Sequence, residues 1–169
     1  MKASWTEDFK SNCLYRMDES VRMLGICLER LEPGRFWERP NAASNSIGNL
    51  LLHLAGNIRQ YVISGLGGAA DTRVRDAEFS SEAMHDPREV WEKFLLTVSE
   101  AREVILRASE AELLHKKRVQ GFYLSGLGMA LHAVEHLSYH TGQVAWALKA
   151  AQDTDLGFYS GTDLNIKNE

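Results

Sequence analysis

Six histidines occur among 169 residues, and three of them, His132, His136 and His140, recur at every fourth position. Residues i and i+4 of a helix stand one turn apart on one face, so any adjacent two of these imidazoles can close on a single ion. At about 100° per residue the three cover roughly 80° of helix circumference. They lie at the edge of the apolar arc formed by Met129, Ala133, Leu137 and Val144, and so border a core instead of facing open solvent. Helical histidines at this spacing are also met as ordinary packed residues, so a ligand role needs a donor from a second element.

His53 is that candidate. Its segment, NSIGNLLLHLAGNIRQYVIS, places Ser46, Asn49, Asn57, Gln60 and Ser64 on the same side, and Arg59 is its only charge. A solvated helix face carries Lys and Glu, so a charge-free stripe of amides and hydroxyls points to a polar internal cavity or a subunit interface. In either setting His53 is a metal ligand or a buried imidazole bonded to a neighbouring amide. Three neutral imidazoles would leave an ion its full charge and at least one open position, as in a catalytic site. Such an ion lowers the pKa of bound water or holds a thiol as thiolate, which makes both hydrolysis and thiol transfer feasible.

Competing patterns are weaker. His132-Ala-Val-Glu135-His136 fits the H-x-x-E-H string of inverted zinc proteases. That chemistry needs a further carboxylate ligand well downstream, and the chain after His136 is short and ends in a polar tail. Two Glu-x-x-His pairs, Glu82 to His85 and Glu112 to His115, resemble di-iron ligands, but both fall outside the long periodic segments. Glu135 and Tyr139 sit about 100° and 60° around the helix from His136, and neither is assigned as a base.

The elements that must position these side chains read as helices. Phe9, Cys13, Met17, Leu24 and Leu28 keep helical period over residues 5 to 30, behind a Ser4/Glu7 capping box. Pro33, Gly34, Pro40 and Asn41 mark a crossing loop over 32 to 44. A second helix starts at an Asn45 or Ser46 cap and is expected to be released where Gly65, Gly67 and Gly68 tolerate positive φ. Residues 69 to 85 are polar, charged and without strong period, a long connection of the kind that is often functional or part of an interface. Asp86-Pro87 opens a third helix to about residue 108, with Val90, Trp91, Phe94, Leu95, Val98, Ala101 and Ile105 in phase. Residues 109 to 124 mix a short helical piece with a turn or brief strand. The last helix begins near Ser125 and runs from Gly126 to Gln152. The reading is an all-α four-helix bundle with long interhelical loops, filling one domain over residues 1 to 169.

Composition narrows the partners. A net charge of −4 with no basic patch argues against nucleic acid. No run of eighteen apolar residues exists, and MKASWTEDFK lacks the basic and apolar regions of a signal peptide, so a soluble cytoplasmic protein is expected. Cys13 and Cys27 lie too far apart along one helix for a disulfide and read as core thiols in a reducing compartment.

The strings NSIGNLLLHLAGNIRQYVISGLGG, DTRVRDAEF, EHLSYHTGQ and DLGFY resemble the DinB-like, or YfiT-like, superfamily of small metal-binding four-helix bundles, and within it a DUF1572-type branch. The likeness covers nearly the whole chain. In that superfamily one histidine of the second helix and a His-x-x-x-His pair of the last helix bind a divalent ion, commonly zinc or nickel. By motif position the resemblance implies His53, His136 and His140, with His132 outside the pair as a core residue or a neighbour of the ligands. Asn49, Asn57, Gln60 and Gln143 are candidates for supporting or substrate contacts, or for plain bundle hydrogen bonding. The resemblance further implies a homodimer and a small-molecule substrate, in some members a low-molecular-weight thiol. The functions in play are therefore a thiol-dependent S-transferase, a metal-dependent hydrolase, and a non-catalytic dimeric metal-binding bundle.

Overall fold

The computed structural model describes residues 4–80 and 85–168. Four long helices form a bundle. Helix α1 (Trp5–Arg30) begins at the Ser4/Glu7 capping box and buries Cys13, Met17, Leu24 and Cys27. Helix α2 (Ile47–Ile58) starts at Ser46, whose hydroxyl accepts from the Asn49 amide while the Asn49 side chain answers back to the Ser46 backbone. It runs on without a break as a π-helical stretch, Arg59–Leu66. Helix α4 (Pro87–Arg107) has Asp86 as its cap and Pro87 at its first position, and α6 (Gly126–Gln152) is capped by Ser125. Packing runs in a ring: α1 on α6, α6 on α2, α2 on α4, and α4 back on α1. The fold is all-α apart from one small hairpin.

A continuous apolar core joins these faces. Leu24, Leu51, Leu54, Ile58, Phe94, Ile105 and Leu137 are fully enclosed within it, each worth roughly 1.5–3 kcal/mol of burial. Cys13 and Cys27 are both buried and unbonded, and desolvation pushes each thiol up to about 11, so they stay protonated fillers.

The glycines that close the second helix do not all act as expected. Only Gly68 takes a positive φ, at 80°. Gly65 lies within the helix and Gly67 caps it at φ −79°. A Cβ at Gly65 would sit 2.8 Å from Met129 Sδ, and one at Gly67 would sit 2.6 Å from the Ile63 carbonyl oxygen and 2.9 Å from Val104. Both are small because neighbouring atoms pass close by, not because their own φ is positive.

Residues 109 to 124 form a short helix α5 (Glu110–Leu114) and an antiparallel hairpin, β1 (Lys116–Val119) with β2 (Phe122–Ser125). Gln120 and Gly121 both have positive φ, the requirement of a two-residue primed turn. Glu112 is spent on the α5 capping box, bonding Ser109, so the Glu112/His115 pair is local structure. Glu82, of the other Glu-x-x-His pair, lies outside the described residues.

The connection after Gly68 is more structured than its composition suggested. It contains a short helix α3 (Arg75–Ser80), which packs on α2. Among the described residues no helix is long and apolar enough to cross a membrane.

Candidate metal centre

Helix α2 brings His53, and α6 brings His136 and His140 from successive turns. One donor atom from each imidazole lies within 4.8 Å of the others. Nε2 of His53 and Nε2 of His136 approach to 2.8 Å. The His140 ring centroid is 4.5 Å from that of His136 and 5.1 Å from that of His53. Two bare imidazole nitrogens repel at such a separation, so one proton or one cation must lie between them. Imidazole nitrogens converging from two helices suit a divalent ion, and the three-histidine cluster could hold one.

The network assigns the tautomers. Glu78 is almost fully buried; burial alone would raise its pKa, but hydrogen bonds from Arg73 and His53 outweigh this and hold it below its ordinary value. Arg73 Nη2 and Glu78 Oε2 both approach His53 Nδ1, at 3.2 and 2.9 Å; the carboxylate can only accept and is the nearer, and Arg73 Nη2 already donates to it at 2.8 Å, so the pairing favours the proton on Nδ1. A neutral His53 with its proton on Nδ1 has its lone pair on Nε2, placed to accept from the Nε2–H of His136 at 2.8 Å or to face an ion. His140 Nδ1 donates to Gln143 Oε1 at 2.7 Å, which leaves the lone pair on its Nε2. Desolvation, with the neighbouring imidazoles and Arg73 adding to it, lowers His136 to about 3. Burial, with the neighbouring His53 imidazole, also lowers His140, against the pull of Gln143. These rings are neutral at pH 7, as ligands must be.

One side of the site is open. His132, Glu135, His136, Ser138 and Tyr139 line a cleft of about 460 Å³ on the outer face of α6. His132 does not join the ligand cluster. Its ring stacks on Tyr61 at 4.0 Å and on His136 at 5.4 Å. Its Nε2 lies 3.2 Å from Asn57 Nδ2, and Tyr61 in turn donates to Gln120 of the hairpin turn at 2.9 Å. Burial lowers the His132 pKa, so this ring too is neutral. Asn57 Oδ1 is buried and, among the described residues, lacks a hydrogen-bond partner.

The remaining candidates separate by what they touch. Gln143 bonds a histidine of the cluster directly. Asn57 reaches only His132. Asn49 donates to the Glu78 carbonyl at 3.0 Å. Gln60 donates to Asp71 and accepts from Arg73. Along Asn49, His53 and Gln60 the polar stripe on α2 meets residues 71–79 of the same chain, which lie across it.

Sequence reasoning missed Arg73 and Glu78. Both stand in the string DTRVRDAEF, within a segment read as an aperiodic loop, and the one available signal was the stripe itself: a row of buried amides demands a polar partner.

Residues 15–148 match the family model described as mycothiol-S-transferase. That family is DinB/YfiT-like, in line with the superfamily resemblance, but it is not the DUF1572-type branch, which the match replaces. No curated protein matches the chain.

Proposed function

We propose that this chain, which belongs to the mycothiol-S-transferase family, joins a low-molecular-weight thiol of the mycothiol kind to an electrophilic small molecule at the three-imidazole site. The observation that carries this reading is the convergence of His53, His136 and His140 donor atoms within 4.8 Å beside an open cleft. These three residues would hold a divalent ion, zinc or nickel, which suit imidazole donors. When bound, such an ion supplies the positive charge that keeps a thiol as its nucleophilic thiolate near neutral pH.

The protein's own groups do the rest. Gln143 holds Nδ1–H of His140, so His140 offers its lone pair in one orientation. The Tyr61 and His136 rings clamp His132 from both faces at the rim of the cleft, and Asn57 fixes the edge of the imidazole. The cleft walls, Glu135, Ser138 and Tyr139, contact whatever approaches His136. Thiol and electrophile both enter from this side, because its cleft is lined by His136 itself, whereas the cavity of about 500 Å³ on the α2 side is lined by Gly56, Arg73 and Glu78 and by none of the three imidazoles. Leu131, Tyr139 and Trp146 are exposed on α6 and fall within about 80° of arc. We read this apolar strip as the contact face of a homodimer, with Leu131 and Trp146 at its centre and Tyr139 at the margin it shares with the cleft.

The test is an assay of the purified protein with low-molecular-weight thiols and a panel of electrophilic acceptors, with and without chelator, beside metal analysis. The expected result is a thiol-dependent rate that chelation abolishes and zinc or nickel restores. A chelator-insensitive rate would sink the reading. Metal-dependent ester or amide hydrolysis without thiol consumption would transfer it to a hydrolase.

A further inference from the structure

The segment across α2 delivers one buried ion pair to the back of one imidazole. Arg73 Nε and Nη2 grip Glu78 at 2.7 and 2.8 Å, and the two side chains are 3% and 9% exposed. Helix α2 is shaped to receive them. A Cβ at Gly56 would run into the Glu78 carboxylate and come within 3.0 Å of Arg73 Nε. Asn49 holds the Glu78 carbonyl, and Gln60 ties down both Arg73 and Asp71. Arg39 Nη2 donates to the Phe79 carbonyl at 2.6 Å, and the Phe79 ring lies 4.9 Å from the His53 ring. Contacts at positions 49, 53, 56 and 60 thus clamp the segment along one face of α2.

A buried Arg–Glu pair is a poor device for stability. An apolar pair of similar volume often folds as well or better, because desolvating two charges offsets their attraction. An apolar pair cannot accept a hydrogen bond from an imidazole. Glu78 Oε2 is placed to do so at 2.9 Å from His53 Nδ1, and Arg73, donating to both carboxylate oxygens, keeps that acceptor in place.

We propose that Glu78, clamped by Arg73 on the segment 71–79, is a positioning residue that locks His53 as its Nδ1–H tautomer and aims Nε2 into the three-imidazole site. This deepens the metal reading given above and rests on it. Removing such a partner typically weakens metal binding about 10–100-fold.

The experiment has two arms. Ring ¹⁵N NMR of the metal-free protein reads the His53 tautomer, and competition against a chromophoric chelator reads zinc affinity. In the wild type His53 should show a protonated Nδ1 and a bare Nε2. Glu78→Gln should blur that assignment and lower zinc affinity about 10–100-fold. Glu100→Gln, which breaks the exposed Arg59–Glu100 pair on the outside of the bundle, should change neither. Should Glu78→Gln fail to fold around an unpaired Arg73, the double variant Arg73→Met/Glu78→Leu removes both charges together and should show the same two losses. A folded variant with the wild-type His53 ring spectrum and wild-type zinc affinity would overturn the proposal. A wild type that shows the locked tautomer but takes up no zinc would instead overturn the metal reading and leave the role of Glu78 standing.

Discussion

The two helices that supply the imidazoles meet opposite surroundings. On α2, Asn49, His53 and Asn57 are 1%, 6% and 3% exposed, and residues 71–79 cover that face of the helix. On α6, the face beyond His136 opens into a cleft walled by Glu135, Ser138 and Tyr139, the last 61% exposed. The α2 wall is over-determined: backbone carbonyls, two amides, an ion pair and a missing Cβ all specify one arrangement. The α6 wall is under-determined, with free surface where a substrate must arrive. A site divided in this way can hold its ligand atoms still and admit reactants without opening the bundle.

The largest expected effect tests whether both walls are needed. Loss of one imidazole from three should weaken metal binding by more than about 100-fold, beyond what loss of a supporting partner does, whether the change is His53→Ala on the closed side or His136→Ala on the open side. Metal stoichiometry by elemental analysis checks it, and full occupancy in both variants would break the comparison. His53→Ala should also lower stability by about 1–3 kcal/mol, since Glu78 loses a buried donor, as read by denaturant unfolding of the metal-free proteins.

A smaller effect follows from the neutral rings. His136 is lowered to about 3 in the folded state against an unfolded value near 6.5, so between these the unfolded chain binds more protons and stability rises with pH. His132 and His140, lowered in the same direction, add to this. Glu78, lowered as a carboxylate, likewise favours the fold at higher pH and loses its contribution on acidification through its folded value. The metal-free protein should therefore be at least about 2 kcal/mol less stable at pH 5 than at pH 7.5, measured by urea unfolding at both. Equal stability at the two would mean that the imidazoles are solvated, and that the α6 wall is more open still.

The smallest effect sharpens the open side alone. Trp146→Glu should leave stability within about 0.5 kcal/mol, as an exposed substitution does, and leave metal content unchanged. By light scattering at micromolar concentration it should convert a dimer to a monomer. A wild type already monomeric there would remove the dimer from the account and leave the exposed strip of Leu131, Tyr139 and Trp146 without an occupant.

What was legible in advance was whatever repeats within a turn or two of helix. The 3.6-residue period of Cys13, Met17 and Leu24, the Ser4/Glu7 box and the Asp86-Pro87 start are short-range signals, and the structure has helices at each. The four-residue spacing of His136 and His140 is of the same kind. Two short-range readings went astray where packing intervened: Gly65 and Gly67 answer to Met129 and Val104, not to their own φ. Residues 109 to 124 stayed undecided because a five-residue helix and four-residue strands are too short to show a period.

The sequence by itself determined which imidazoles can share a helix face, because i and i+4 are neighbours on any α-helix whatever surrounds it. It also determined that the face around His53 needs polar company, because most buried amide groups are paired. Which company was decided only by the tertiary structure. Glu78 meets His53 across twenty-five positions of chain, and no local period encodes a contact made by a segment folding back over a helix. The same docking decided that, of the histidines in the cluster, His53 is closed in behind residues 71–79 while His136 borders the cleft.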